Sequence, residues 1–156
     1  MRTIIDRLKL VLGGQCLSHS LTPDGEGQVP CLIIEGRKTG GACDCTGNAR
    51  QPVSQEHQGA VAVAVADPVN PGWDCLCEIL QLTGEELKAC QNVPTEPVMA
   101  SGKQVHGWCH IDAMTMPPTG NPEIVKSCPP TERRVIRFLG EGAPAAGATA
   151  FIGCVY

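Results

Sequence analysis

GWDCLCEIL (72–80) places two cysteines with one residue between them, and GGACDCTGN (40–48) does the same earlier in the chain. The first stretch alternates in the manner of a strand, so Cys75 and Cys77 point to one face of it. Two thiols at that spacing do not bridge each other without bending the strand, because disulfide Cα atoms lie close together with converging side chains. Each is therefore expected to cross to a neighbouring element. Cys43 and Cys45, in a glycine-rich loop, are suitable partners for that crossing.

The rest of the chain supports this reading. It has 156 residues and ten cysteines, an even number that permits complete pairing. Such cysteine use exceeds ordinary cytosolic practice. Aromatic residues are few: Trp73, Trp108, Phe138, Phe151 and Tyr156. Cross-links and aliphatic side chains must supply the cohesion that aromatic side chains usually provide. Structural disulfides through Cys16, Cys31, Cys43, Cys45, Cys75, Cys77, Cys90, Cys109, Cys128 and Cys154 are the leading expectation. Spacing cannot choose among so many connectivities. Local proximity suggests Cys16–Cys31 across the first turn and Cys128–Cys154 tying back the last strand.

Gly (18) and Pro (13) mark many turns between short elements. Residues 3–12 read as an amphipathic helix, with Thr3 as cap, an apolar stripe of Ile4, Ile5, Leu8, Val11 and Leu12, and Gly13-Gly14 as the stop. Strands are expected at 29–37, 74–82, 105–114, 132–140 and 148–156. Residues 54–68 are ambiguous, since Val and Ala alternate as in a strand; the alanines and the Ser54 cap favour a helix. Thr83 with Glu86 forms a capping-box pattern ahead of a short helix at 84–91. Asn121 followed by Pro122 opens another. GEGAPAAGA (140–148) reads as a hairpin loop. The expected architecture is one α+β domain over 1–156, with a largely antiparallel sheet and two to four short helices, stapled by disulfides.

Composition narrows function. A net charge of −4 without a basic run argues against nucleic-acid binding. No apolar run is long enough to span a membrane. In MRTIIDRLKLVLGG, Asp6, Arg7 and Lys9 interrupt what would be the apolar stretch of a signal peptide. With its cysteines, the chain is then expected to be a piece of a longer exported protein rather than a cytosolic one.

Metal binding is the alternative for the thiols. Cys-x-Cys can chelate, and His106, Cys109, His110 and Asp112 lie close in sequence. Structural zinc sites more often use a C-x2–4-C knuckle, which is absent. A small enzyme with a site around Trp108, His110 and Asp112 is a further alternative. His110 and Asp112 would share a strand face, which permits an acid–base dyad. Read plainly, they are a polar pair on a solvated face, and Trp108 is a core residue. His19 and His57 read as solvated. Nucleotide-binding, hydrolase-elbow and metalloprotease motifs are absent, and no cofactor is expected.

The blocks VPCLIIEGR, CDCTGNARQP, WDCLCEILQL, KACQN, GWCHIDA, NPEIVKSCPPTERRVIRFLGEG and FIGC, taken as a set, resemble the cysteine-rich region that follows the von Willebrand factor A domain in exported proteins of myxobacteria and related bacteria. The resemblance implies an extracytoplasmic, disulfide-bonded module attached to an adhesion-type domain. It implies no catalytic activity. The A domain's D-x-S-x-S metal pattern is absent, so no metal-dependent adhesion residue transfers. The expected partner is another protein or an adjoining domain of a longer chain.

Overall fold

The structure, a computed structural model, describes residues 3–8, 14–17, 20–47, 49–55, 75–145 and 148–155. The strands among these residues are β1 (Thr3–Leu8), β2 (Gly14–Cys16), β3 (Cys31–Arg37), β4 (Arg50–Pro52), β5 (Cys75–Ile79), β6 (Met99–Ala100), β7 (Lys103–Gln104), β8 (Gly107–Asp112), β9 (Arg134–Leu139) and β10 (Thr149–Val155). Among the described residues one α-helix, α1, spans Gly84–Asn92, and 3-10 turns cover Pro122–Val125 and Gly140–Gly142. The strands form a five-stranded sheet in the order β1-β10-β3-β5-β4, a three-stranded sheet β2-β9-β8, and the small hairpin β6-β7. All the named pairings are antiparallel. The protein is an α+β, disulfide-rich fold.

Alternation along the strands explains the layering. In β8, Trp108 and His110 face one way, with Phe138 and Ile136 opposite them on β9. Trp108, Ile136 and Phe138 pack against Ile33, Ile79, Ala150 and Ile152 of the larger sheet. The Trp108 indole N–H donates to the Ile79 carbonyl at 2.9 Å, joining the two sheets at the centre of this core. The opposite face of the small sheet carries Cys109, Ile111, Val135 and Leu139, which pack with Leu87 and Cys90 of α1 and with Val125. The three-stranded sheet is thus a middle layer, which is why every residue of β8 is buried.

Several expectations need correction. Residues 3–8 form an edge strand paired with β10, not a helix. The Ile-rich segment supports either periodicity, and pairing with β10 decides it. The 140–148 segment is no hairpin, because β9 pairs with β8 and β2 whereas β10 pairs with β1 and β3. It crosses between sheets through a 3-10 turn. Gly142 lies against Gly107 there: a Cβ at Gly142 would stand 2.5 Å from the Gly107 amide nitrogen. The 92–104 loop contains the β6-β7 hairpin. The helix after Thr83 forms, but the Thr83 side chain makes no capping hydrogen bond. Asn121 does cap, accepting from the Glu123 amide at 3.0 Å. The helix preferred for 54–68 falls almost wholly outside the described residues.

Candidate functional site

All ten cysteines are paired. Cys16 joins Cys128 and Cys31 joins Cys154, which corrects the Cys16–Cys31 and Cys128–Cys154 pairings expected from proximity. The reason lies in the register: Cys31 and Cys154 are directly opposite on β3 and β10. Cys16, at the end of β2, reaches instead to the segment after the 3-10 turn. Cys90–Cys109 ties α1 to β8. Cys43–Cys75 and Cys45–Cys77 lie side by side and fasten the 38–49 loop to β5.

This doubled bridge sits at one end of the large sheet's inner face. Along β3 that face reads Cys31, Ile33, Glu35, Arg37, passing from core to charge. Ile33 lies opposite Ile79, Glu35 opposite Cys77 and Arg37 opposite Cys75. Glu35 is fully buried. Its carboxylate accepts from Arg50 Nε and Nη2, both at 2.9 Å, and from the Ala145 amide at 2.7 Å. Arg37 Nε lies 3.2 Å from the same carboxylate. Arg37 Nη2 donates to the Asp44 carbonyl at 2.9 Å and stands 3.6 Å from both Cys75 Sγ and Cys77 Sγ. One buried carboxylate therefore orients two guanidinium groups, and one of those caps the sulfur cluster. A charge this deep requires such partners. The position of Glu35 in an otherwise apolar strand was the signal available in the sequence, and only the register shows where its partners lie. Asp44, in the exposed loop, is held below the usual carboxylate range mainly by the Thr46 hydroxyl, with the Thr46 amide adding to the effect.

Trp108, His110 and Asp112 do share a face of β8, but the face is interior. His110 and Asp112 are each 1% exposed, which corrects the solvated polar pair expected from sequence. Neither imidazole nitrogen of His110 has a hydrogen-bond partner. Burial lowers the His110 pKa to about 4, against an opposing pull from Asp112. Asp112 accepts from the Met114 amide at 2.8 Å and lies 3.4 Å from Arg134 Nε. This geometry stores a neutral histidine inside the protein and offers a substrate no approach.

An open cleft of about 470 Å³ lies elsewhere, between the start of α1 and the β6-β7 hairpin. Glu85, Glu86, Ser101, Lys103 and His106 line it. His106 is tied down there, its Nδ1 accepting from the Glu141 amide at 2.9 Å. His106 lines the cleft and His110 lies in the interior, and neither joins the thiols. Among the described residues, the cluster with metal-ligating composition is Cys43, Cys45, Cys75 and Cys77 alone.

Comparison with protein-family models, with curated proteins and with solved structures finds no match to this chain. The fold and the sulfur sites define a class, a disulfide-rich α+β module. No helix among the described residues is long and apolar enough to cross a membrane.

Proposed function

We propose that this chain is an extracytoplasmic module, non-enzymatic, that supports or docks against another protein or an adjoining domain of a longer chain. The observation that carries this reading is the complete pairing of ten cysteines. Bridges of this number persist in oxidising compartments and are rare in reducing ones. Their placement favours a rigid support: they tie strand to strand, helix to sheet and loop to sheet. The resemblance to the cysteine-rich region beside von Willebrand factor A domains in exported bacterial proteins points the same way. The candidate acid–base pair, His110 and Asp112, is enclosed in the interior, which favours a role without chemistry.

The test is production of the same chain with and without an export signal. Exported protein should accumulate as a protease-resistant species without free thiols, and should depend on the host's periplasmic dithiol oxidase. Cytosolic protein should be degraded or insoluble. Equal yield, folding and protease resistance in the reducing cytosol would contradict the proposal.

A further inference from the structure

The four sulfurs of the doubled bridge have the arrangement of a metal centre as well as of two disulfides. The Sγ atoms of Cys43, Cys45, Cys75 and Cys77 all lie within 4.8 Å of one another. A tetrahedral zinc tetrathiolate with Zn–S bonds of about 2.3 Å has sulfur–sulfur edges of about 3.8 Å. The Cys43–Cys45 and Cys75–Cys77 sulfur pairs are each already 3.8 Å apart. The two bonded pairs must open to that edge, and the two remaining pairs already lie within 4.8 Å.

The surroundings suit that second state. Arg37 Nη2 stands 3.6 Å from two of the sulfurs. A fixed guanidinium lowers thiol pKa values and offsets the net negative charge of a tetrathiolate zinc centre. It is itself held by buried Glu35, as an outer-shell partner orients a ligand. Access is one-sided: Cys45, Cys75 and Cys77 are buried and Cys43 is exposed. A reductant or a metal ion therefore meets the cluster at Cys43. The Cys90–Cys109 bridge, by contrast, is wholly enclosed, and the Cys16–Cys128 and Cys31–Cys154 bridges each pair a buried sulfur with a half-buried one.

We propose that Cys43, Cys45, Cys75 and Cys77 form a redox-gated zinc site: two disulfides when oxidised, one four-thiolate zinc centre when reduced. Two molecules of a dithiol reductant deliver four electrons and four protons to the two S–S bonds, and each leaves as its own disulfide. One Zn²⁺ then displaces the four thiol protons to solvent. Oxidation of the four thiolates by a disulfide oxidant re-forms both bridges and releases the ion. This role goes beyond mechanical support and does not depend on it.

The experiment titrates the native protein with a dithiol and maps the exposed thiols by alkylation and peptide mass. Cobalt(II) then serves as the spectroscopic probe, with zinc as competitor. The first four thiols to appear should be Cys43, Cys45, Cys75 and Cys77. One cobalt per chain should bind with the visible bands of a tetrahedral tetrathiolate, and zinc should displace it. Cys43→Ser, which leaves the Cys45–Cys77 bridge able to form, should lose that spectrum and weaken cobalt binding by roughly tenfold or more. Should the four-thiol species unfold, zinc must restore its circular dichroism, because a metal of this kind binds the folded state. Earlier reduction at another bridge, absence of cobalt binding, equal binding by Cys43→Ser, or failure of zinc to refold an unfolded species would each overturn the proposal.

Discussion

His110 should make this protein acid-sensitive by an amount that the structure allows to be worked out. Its side chain is buried with both nitrogens unpartnered. Its pKa falls from the ordinary 6.5 to about 4 on folding, because burial disfavours the charged imidazolium. Above both values the imidazole is neutral in both states and pH has no effect through it. Between them the unfolded chain binds a proton that the folded chain refuses, so stability falls as pH falls. Each pKa unit corresponds to about 1.4 kcal/mol, and integration from pH 7.5 to 4.5 gives a loss of roughly 2–3 kcal/mol. Below the folded value the loss levels off. Carboxylates titrate over part of the same range, so the contrast must be with a variant. His110→Leu removes the titration, and also removes two buried polar atoms without partners, so it should be no less stable than wild type at pH 7.5. Urea unfolding with the disulfides intact, repeated at half-unit steps, reads the difference between the two proteins. The wild type should lose roughly 2–3 kcal/mol more than His110→Leu between pH 7.5 and 4.5. Parallel stability curves would refute the claim that a neutral histidine is locked in the interior.

Four further outcomes are expected. Glu35→Ala leaves Arg50 and Arg37 without their buried carboxylate and should cost about 3–5 kcal/mol in urea unfolding. Gly142→Ala should cost about 1–3 kcal/mol, because the new methyl meets Gly107 backbone that cannot yield. Gly41→Ala, with nothing within 4 Å, should stay within about 0.5 kcal/mol of wild type. Replacing Cys16 and Cys128 by Ala together should cost about 4 kcal/mol rather than the larger value for an isolated bridge of separation 112. The Cys31–Cys154 bridge, left in place, already shortens the path between them to about 41 residues, which lowers the loop-closure contribution.

The sequence exposed those parts of the fold whose signals are local. Strands at Cys31–Arg37, Cys75–Ile79, Gly107–Asp112 and Arg134–Leu139 follow from alternation and β-branched residues, and the Asn121-Pro122 start follows from cap chemistry. What it concealed is non-local. Residues 3–8 carry an apolar pattern that suits a helix or a strand, and only β10 decides between them. His110 alternates with buried neighbours like any strand residue. Nothing near it in sequence shows that one sheet covers its face while α1 covers the other face of the same strand. The cysteine partners depend on register in the same way: Cys31 meets Cys154 because β3 and β10 are adjacent, a fact with no trace in their spacing. The sulfur cluster was half visible. Each Cys-x-Cys pair announces a shared direction, but Glu35, Arg37 and Arg50 join it only through pairing of β3, β4 and β5.

The most direct measurement is peptide mapping of the unreduced protein, digested at acidic pH to suppress disulfide exchange. Five cross-linked species are predicted, joining Cys16 to Cys128, Cys31 to Cys154, Cys43 to Cys75, Cys45 to Cys77 and Cys90 to Cys109. Recovery of Cys16 linked to Cys31, of Cys128 linked to Cys154, or of thiols free in the oxidised protein would contradict the account.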